Sequence, residues 1–215
     1  MPEGYEVLSL DALRAYESPN HGDSRLMPLR HRLGLSAFGA NCWTAEVGKA
    51  IVPRHEEDSG NEELYVVVRG RARFLVDGEE LDAPTGTLVH VRAGEMREAF
   101  AEDPGTIVLA AGATPGEPFV AGGWDEMIVA FAEAADGNVD EGRAVLERVA
   151  ERHPDHWGVA YNAACFEARF GERDAAFTHL ATAFERDEGS ARGWAEHDSD
   201  LDSLRDDPRW QEIVG

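Results

Sequence analysis

The stretch from Val52 to Glu79, VPRHEEDSGNEELYVVVRGRARFLVDGE, places one histidine and several carboxylates directly before two strand-forming runs. Those runs, ELYVVVRG and RARFLV, are rich in β-branched and aromatic residues, which is typical of β-strands. The Asp77-Gly78 pair that follows favours a tight type I′ hairpin turn, because glycine accepts a positive φ without a steric penalty. The stretch therefore predicts antiparallel strands with a charged segment at their start.

Similar short runs continue on both sides of this stretch, from about residue 25 to residue 113. They are separated by glycine, proline and aspartate, as expected for consecutive antiparallel strands. The further runs are LSAFGANCWTAEV, KAIVPR, GTLVHVRAG and TIVLAAG. So many short strands in succession predict a β-sandwich or β-barrel.

The alternation of side chains along a strand predicts one inward-facing group of polar residues. His55 and Glu57 are two positions apart and so point to the same face. Glu63 and Tyr65 share a face on the next strand for the same reason. His90 can join this group only if its own strand turns it inward, and a lone histidine in a strand is more often exposed or hydrogen-bonded.

The remainder of the chain changes from strand to helix periodicity. Residues 114–123, rich in proline and glycine, are predicted to form a linker. Residues 124–215 are dominated by alanine, leucine, glutamate and arginine, with apolar residues at helical spacing. The last part, SDLDSLRDDPRWQEIVG, is predicted to cap the helices through four apolar side chains, Leu201, Leu204, Trp210 and Ile213.

The helical part repeats itself with an offset of 34 residues, which resembles the tetratricopeptide repeat. Small residues at paired positions let helices approach closely, glycines supply turns, and leucines fill the seam between helices. The matching pairs are Ala130 and Ala164, Ala134 and Ala168, Gly137 and Gly171, Asp140 and Asp174, Leu146 and Leu180, and Val149 and Ala183. The resemblance implies a short helical array that meets a protein partner, although a packing appendage or dimer face is an equally good interpretation.

Composition narrows the classes of partner. With 42 acidic and 20 basic residues, the formal charge is −22, which repels nucleic acid and anionic membranes. The N-terminus lacks the features of a signal peptide, and no apolar run is long enough to cross a membrane. Cys42 and Cys165 show no paired framework, so both thiols are predicted to be free. These features predict a cytoplasmic location, with neither nucleic acid nor membrane as partner.

Residues 25–113 resemble a cupin domain. The first cupin motif contains a glycine, HxH, a glutamate and a second glycine, and Glu63 and Gly70 occur here at the family's spacing. His55 matches the first histidine. Glu57 stands in place of the second histidine, and the spacer before Glu63 is one residue longer than usual.

The second cupin motif, G(x)5PxG(x)2H, aligns with Gly86, Arg92, Gly94 and Arg97. Both glycines are present, but Arg92 replaces the proline and Arg97 replaces the last histidine. Since a guanidinium stays protonated and has no lone pair to donate, Arg97 cannot ligate a metal ion. We expect it instead to form a bidentate ion pair with Glu57 or Glu63 in the space that the metal occupies in a standard cupin.

Two functions follow from the resemblance. The first is a non-catalytic small-ligand-binding or regulatory protein without a metal cofactor, with ligand-binding residues His55, Glu57, Glu63, Tyr65 and Arg97. The alternative is a metal-dependent oxygenase, isomerase or lyase acting on a small polar metabolite. There His55, Glu57 and Glu63 hold Mn, Fe, Ni or Zn, Arg97 positions a substrate carboxylate, and Tyr65 serves as acid or base.

The predicted fold is a multidomain β + α chain. Residues 1–24 are an N-terminal arm or short helix, with Ser9 or Asp11 as its cap. Residues 25–113 form an antiparallel cupin jelly-roll β-barrel, 114–123 the linker, and 124–215 the tetratricopeptide-like helices with their C-terminal cap. Because cupins often pair through their sheets, the resemblance also implies a homodimer.

Overall fold

The computed structural model of the chain describes residues 5–17, 23–57, 60–119 and 123–215, without the side chains of 123–125. The contacts divide the chain into two compact units, Met1–Ala121 and Gly122–Gly215. The first unit consists mainly of strands and the second of helices. Residues 120–122 of the predicted linker lie outside the described residues, as do 1–4 and 18–22 of the predicted N-terminal arm.

The β unit contains ten described strands and two short helical turns. A 3-10 helix spans Leu10–Ala12, and helix α1 spans Leu29–Leu33. The strands are β1 (Tyr16–Glu17), β2 (Arg25–Met27), β3 (Gly39–Thr44), β4 (Ala50–His55), β5 (Glu62–Arg69), β6 (Arg71–Val76), β7 (Glu79–Pro84), β8 (Leu88–Val91), β9 (Arg97–Ala101) and β10 (Ile107–Ala113).

The strands form two antiparallel sheets. Sheet A has the order β1-β2-β3-β10-β5-β8, and sheet B has the order β4-β9-β6-β7. Among the described residues no ladder of hydrogen bonds joins the two sheets, so the predicted barrel is not closed. The predicted antiparallel β domain is confirmed, as a pair of sheets.

The hydrophobic core of this unit lies between the sheets. Alternate residues of β5, Tyr65 and Val67, face inward from sheet A, while Phe74 on β6 faces inward from sheet B. This is the alternation expected of strands that are buried on one face only. The predicted hairpin is present, since β6 pairs with β7 around Asp77 and Gly78, which have φ values of 50° and 85°.

The N-terminal segment contributes to a second apolar cluster of this unit. The side chain of Ser9 caps the 3-10 helix by accepting a hydrogen bond from the amide of Asp11, as predicted. Leu13 is buried together with Met27, Cys42 and Ile107 of sheet A. Leu8, Leu10, Leu13 and Ala15 therefore pack against strands of the β unit.

The helical unit has six described α-helices and one 3-10 helix, Ser199–Leu204. The α-helices are α2 (Gly123–Ala135), α3 (Val139–Arg152), α4 (Trp157–Phe170), α5 (Arg173–Arg186), α6 (Glu188–Ala195) and α7 (Pro208–Ile213). Helices α4 and α5 begin 34 residues after α2 and α3, respectively, which is the offset found in the sequence. The assignment of these pairs as tetratricopeptide repeats stays a prediction.

Small residues and the C-terminal segment complete the core of the helical unit. A Cβ atom on Gly142 would lie 2.6 Å from the carbonyl oxygen of Ala130, so the glycine is needed where α3 meets α2. The four side chains predicted as a cap, Leu201, Leu204, Trp210 and Ile213, all belong to this core or pack against it. Both cysteines of the chain are buried and free, as predicted. No helix among the described residues is long and apolar enough to span a membrane.

Gly70, the last glycine of the first cupin-like motif, is required by its backbone and by its neighbour. It has a φ of +72°, and a Cβ atom there would lie 2.9 Å from Cα of Thr106. Gly78 also has a positive φ, +85°, but a Cβ atom there meets nothing within 4 Å. An alanine at Gly78 would therefore cause backbone strain alone, whereas an alanine at Gly70 would cause backbone strain and a steric overlap.

We expect Gly78→Ala to lower the free energy of unfolding by about 1–2 kcal/mol, the cost of a left-handed alanine. Gly70→Ala should lower it by a further 1–3 kcal/mol or so, because the methyl group overlaps Thr106. Urea unfolding of both variants and the wild type measures the difference. An equal decrease in the free energy of unfolding in the two variants would show that Thr106 does not prevent a side chain at position 70.

Candidate functional site

The predicted polar group lies at one end of the two sheets, and both sheets contribute to it. His55 is the last residue of β4, and Arg97 is the first residue of β9, where the two are cross-strand partners in sheet B. Glu63 and Tyr65 lie on β5 of sheet A. The loop after β4 adds Glu57, whose carbonyl oxygen accepts a hydrogen bond from the amide of Gly94.

One carboxylate oxygen, Oε2 of Glu63, is the centre of the group. The hydroxyl of Tyr65 donates a hydrogen bond to it. Nε2 of His55 lies 3.6 Å away and Nε of Arg97 lies 3.7 Å away. Burial raises the pKa of Glu63, but the close approach of His55, the hydrogen bond from Tyr65 and the positive charge of Arg97 outweigh this, so the pKa lies below its usual value. Glu63 is therefore an anion that three side chains share.

His55 is oriented by the backbone. Its Nδ1 lies 2.7 Å from the carbonyl oxygen of Pro53, so Nδ1 carries a hydrogen and Nε2 faces the carboxylates of Glu63 and Glu57. Burial lowers the pKa of His55, but the Glu63 carboxylate and the Pro53 carbonyl favour the imidazolium more strongly, so the pKa lies above its usual value. The imidazolium is thus stabilised in the folded protein.

Tyr65 remains a neutral phenol. Its side chain is buried, and burial together with the negative charge of Glu63 raises its pKa far above the usual value. A phenol of this kind donates a hydrogen bond and does not accept a proton as a base. The raised pKa disfavours both roles considered for Tyr65, because a base must first lose this proton and an acid must release it.

Arg97 is the most unusual member of the group, because its side chain is 0% exposed. Nη2 donates a hydrogen bond to the carbonyl oxygen of Arg92 at 3.2 Å. Among the described residues, Nε and Nη1 have no hydrogen-bond partner. The expected ion pair with Glu63 is present at 3.7 Å, but the expected bidentate geometry is wrong, since that distance exceeds a hydrogen bond. A buried donor without an acceptor costs about 1–3 kcal/mol, so these two nitrogens require an explanation.

The donor set of a metal site is partly present. Ligand atoms of His55, Glu57 and Glu63 lie within 4.8 Å of one another. The buried guanidinium of Arg97, however, lies 3.7 Å from Oε2 of Glu63, and its positive charge opposes a cation there. With Arg97 in this position, the residues do not fit a divalent ion.

His90 does not join the group. It is exposed on β8 and lies 3.2 Å from the carboxylate of Glu62. Sequence reasoning did not identify the carbonyl groups of Pro53 and Arg92, which orient His55 and Arg97. Backbone acceptors leave no residue-type signal, so the sequence offered no means of finding them.

A second cluster in the helical unit, Cys165, Asp198 and Asp200, also has three possible ligand atoms close together. Burial, and then the neighbouring acids, raise the pKa of Cys165 well above its usual value. This shift favours the protonated thiol, which donates a hydrogen bond. Asp198 instead accepts hydrogen bonds from Tyr161 and Cys165, which ties the C-terminal segment to α4.

Comparison with known proteins identifies neither a family nor a curated relative. No protein-family model matches the chain, and no curated protein matches it. Among solved structures, KdgF from Halomonas sp. is 16% identical over 50% of this chain and 93% of its own, with a TM-score of 0.42. A cupin protein from Bacteroides fragilis is 18% identical over 57% of this chain and 93% of its own, with a TM-score of 0.39.

A third solved structure, a sugar phosphate isomerase from a cupin superfamily of Silicibacter pomeroyi, is 20% identical. The match covers 51% of this chain and 77% of that protein, with a TM-score of 0.41. None of these identities or TM-scores is high enough to assign a family or an activity.

The His55–Glu63 interaction predicts a pH dependence. Because the pKa of His55 is higher in the folded than in the unfolded chain, its contribution to stability is complete below the unfolded pKa of about 6.5 and is lost as the pH rises through the folded pKa. The free energy of unfolding lost in His55→Gln should therefore be larger at pH 6 than at pH 9. NMR titration of the His55 ring protons should give a pKa above 6.5 that falls in Glu63→Gln.

Glu57→Gln is the matched control, because it removes a carboxylate that lies slightly farther from Nε2, at 3.8 Å. Its effect on the His55 pKa should be smaller. A His55 pKa at or below 6.5 in the wild type would contradict the assigned interaction.

Proposed function

We propose that this chain is a non-catalytic, cupin-type small-ligand-binding or regulatory protein whose site works without a metal ion. The observation that supports this most strongly is the place of Arg97. It stands where the second cupin motif has its last histidine, its guanidinium is buried, and its Nε lies 3.7 Å from the Glu63 carboxylate. A fixed positive charge takes the position of the cation.

A small ligand also accounts for the unpaired nitrogens. Nε and Nη1 of Arg97 lack partners among the described residues, while His55, Glu57 and Glu63 nearby are each partly exposed, with side-chain exposures of 35%, 24% and 18%. A molecule that enters past these three side chains supplies acceptors to Arg97. The four side chains then act as a recognition site in which the protein provides both donors and acceptors.

A metal-dependent cupin enzyme is the second candidate, and one observation favours it. The ligand atoms of His55, Glu57 and Glu63 converge within 4.8 Å. This alternative requires Arg97 to leave Glu63, for example to bind a substrate carboxylate, since otherwise its charge opposes the ion. Metal content distinguishes the two candidates.

Elemental analysis of untagged protein, before and after incubation with manganese, iron, nickel and zinc, should give well below one metal ion per chain. Arg97→His removes the opposing charge and adds an imidazole to the three donors, so this variant should bind close to one zinc or nickel ion. Arg92→His is the matched control, because Arg92 is exposed and only its carbonyl contacts Arg97.

Two outcomes would contradict the metal-free proposal. One is near-unit metal in the wild type that is lost in His55→Ala, which would show a metal site at His55 and favour the metal-dependent candidate. The other is equal metal uptake by Arg97→His and Arg92→His, which would show that position 97 does not control the site.

We further propose that the helical unit is a protein-interaction region and that the chain forms a homodimer. The 34-residue offset between α2–α3 and α4–α5 supports the first proposal, because stacked helical pairs commonly serve as contact surfaces. The position of β8 supports the second. It is the last strand of sheet A, and Leu88 on it is 63% exposed.

Sedimentation analysis should give a particle of twice the chain mass of 23.5 kDa. Leu88→Glu should convert it to monomer, because it puts a charge on the strand that ends sheet A among the described residues. Trp194→Glu changes an aromatic residue of the helical unit that is 40% exposed and should leave the dimer intact. A monomeric wild type would refute the homodimer, and dissociation by Trp194→Glu alone would place the contact in the helices.

A further inference from the structure

The charges at the site do not favour an anionic ligand. Arg97 is positive, Glu57 and Glu63 are negative, and His55 is either neutral or positive. The net charge of the four is therefore zero when His55 is protonated and −1 when it is not. In neither state do they present the positive charge that a carboxylate or phosphate ligand needs.

Acidic residues next to the site also disfavour an anionic ligand. Glu56 and Glu62 are exposed next to the site residues Glu57 and Glu63, and the whole chain has a formal charge of −22. A ligand carboxylate would be a third negative group beside Glu57 and Glu63. Like charges at such short range weaken binding unless further cations balance them.

The hydrogen-bonding groups, in contrast, favour a particular neutral group. Arg97 offers the unused donors Nε and Nη1, and the carboxylate of Glu63, which can only accept, lies directly beside it. A hydroxyl group donates one hydrogen bond and accepts two, so it can satisfy both side chains at once. A carbonyl can only accept, and an ammonium group can only donate.

We propose that the ligand of this site is an uncharged polyhydroxylated molecule, a polyol or sugar, whose neighbouring hydroxyl groups accept from Arg97 and donate to Glu63. This inference rests on the proposed function, because it assumes a site without a metal ion. It assigns Arg97 and Glu63 as one recognition unit. Glu57 and His55 lie at its partly exposed side, within reach of a second hydroxyl.

The test observes the arginine side chain directly. Nitrogen-edited NMR of arginine Nε–H groups, with the Arg97 signal assigned by its loss in Arg97→Lys, follows titration with glycerol, myo-inositol and glucose. Glycerate and glucuronate, at matched ionic strength, are the acidic counterparts of glycerol and glucose, and glucuronate also serves as the acidic comparison for myo-inositol. We expect at least one neutral probe to shift the Arg97 signal saturably, and its acidic counterpart to leave the signal unchanged.

The variant Glu63→Gln removes the negative charge at position 63 and keeps the shape of the side chain, so it tests the role of that charge in ligand binding. Removing a charged acceptor should weaken binding of the neutral probe by roughly 10-fold or more. It should also permit binding of the acidic probe, since the repelling carboxylate has become an amide. If Glu63→Gln does not fold, Glu57→Gln tests the charge alone, because it removes one negative charge from the site and keeps the Glu63 acceptor, and it should likewise permit binding of the acidic probe.

Three results distinguish the possible failures. Saturable shifts with the acidic probes alone would overturn the neutral-ligand inference and leave the metal-free site intact. No shift with any neutral probe at roughly 100 mM, far above a millimolar Kd, would also overturn it and assign the Arg97 donors to water. Stoichiometric metal in the same sample would refute the proposed function itself, independently of the probes.

Discussion

A buried guanidinium must keep an anionic neighbour, and this constraint organises one end of the two sheets. Arg97 is carried by sheet B, while its counter-charge, Glu63, is carried by sheet A. Removing either charge alone would leave the other poorly compensated in a partly dry environment, which is strongly unfavourable. The pair therefore links the two sheets where no strand pairing does so among the described residues.

The same constraint limits the chemistry of the site. Because Glu63 already interacts with Tyr65, His55 and Arg97, its oxygen is neither a free base nor a free metal ligand. His55 is held by Pro53 and stabilised as a cation. Such an arrangement is suited to recognition through fixed donors and acceptors, in which nothing has to be reorganised when a ligand arrives.

The sequence predicts the strands that are rich in β-branched and aromatic residues, whereas strands with few such residues are not predicted. The predicted runs contain most or all of the residues of β3, β4, β5, β6, β8 and β10. Strand β7 is largely acidic, and β9 owes its burial to Ala99 and Ala101, so neither has the composition of a strand. Arg97 was nevertheless identified as a site residue, because motif spacing locates a position even where strand propensity fails.

The sequence predicts which side chains lie close together at this end of the sheets, but not their geometry. His55, Glu57, Glu63, Tyr65 and Arg97 were expected together, and the structure brings them together. Whether Arg97 makes two hydrogen bonds to a carboxylate or none depends on tenths of an ångström in the separation of two sheets. No pattern of residue types records such a distance.

The N-terminal segment belongs to the same compact unit as the strands. Sequence composition placed the start of the β domain at residue 25, yet Leu13 is buried in one cluster with Met27, Cys42 and Ile107. Arg69 of β5 also contacts Asp11 of the 3-10 helix, at 2.6 Å. A fragment that begins at residue 25 would lack Leu13 and would expose the apolar side chains that Leu13 covers. If such a fragment were insoluble, the cause would be the missing N-terminal segment and not the sheets themselves.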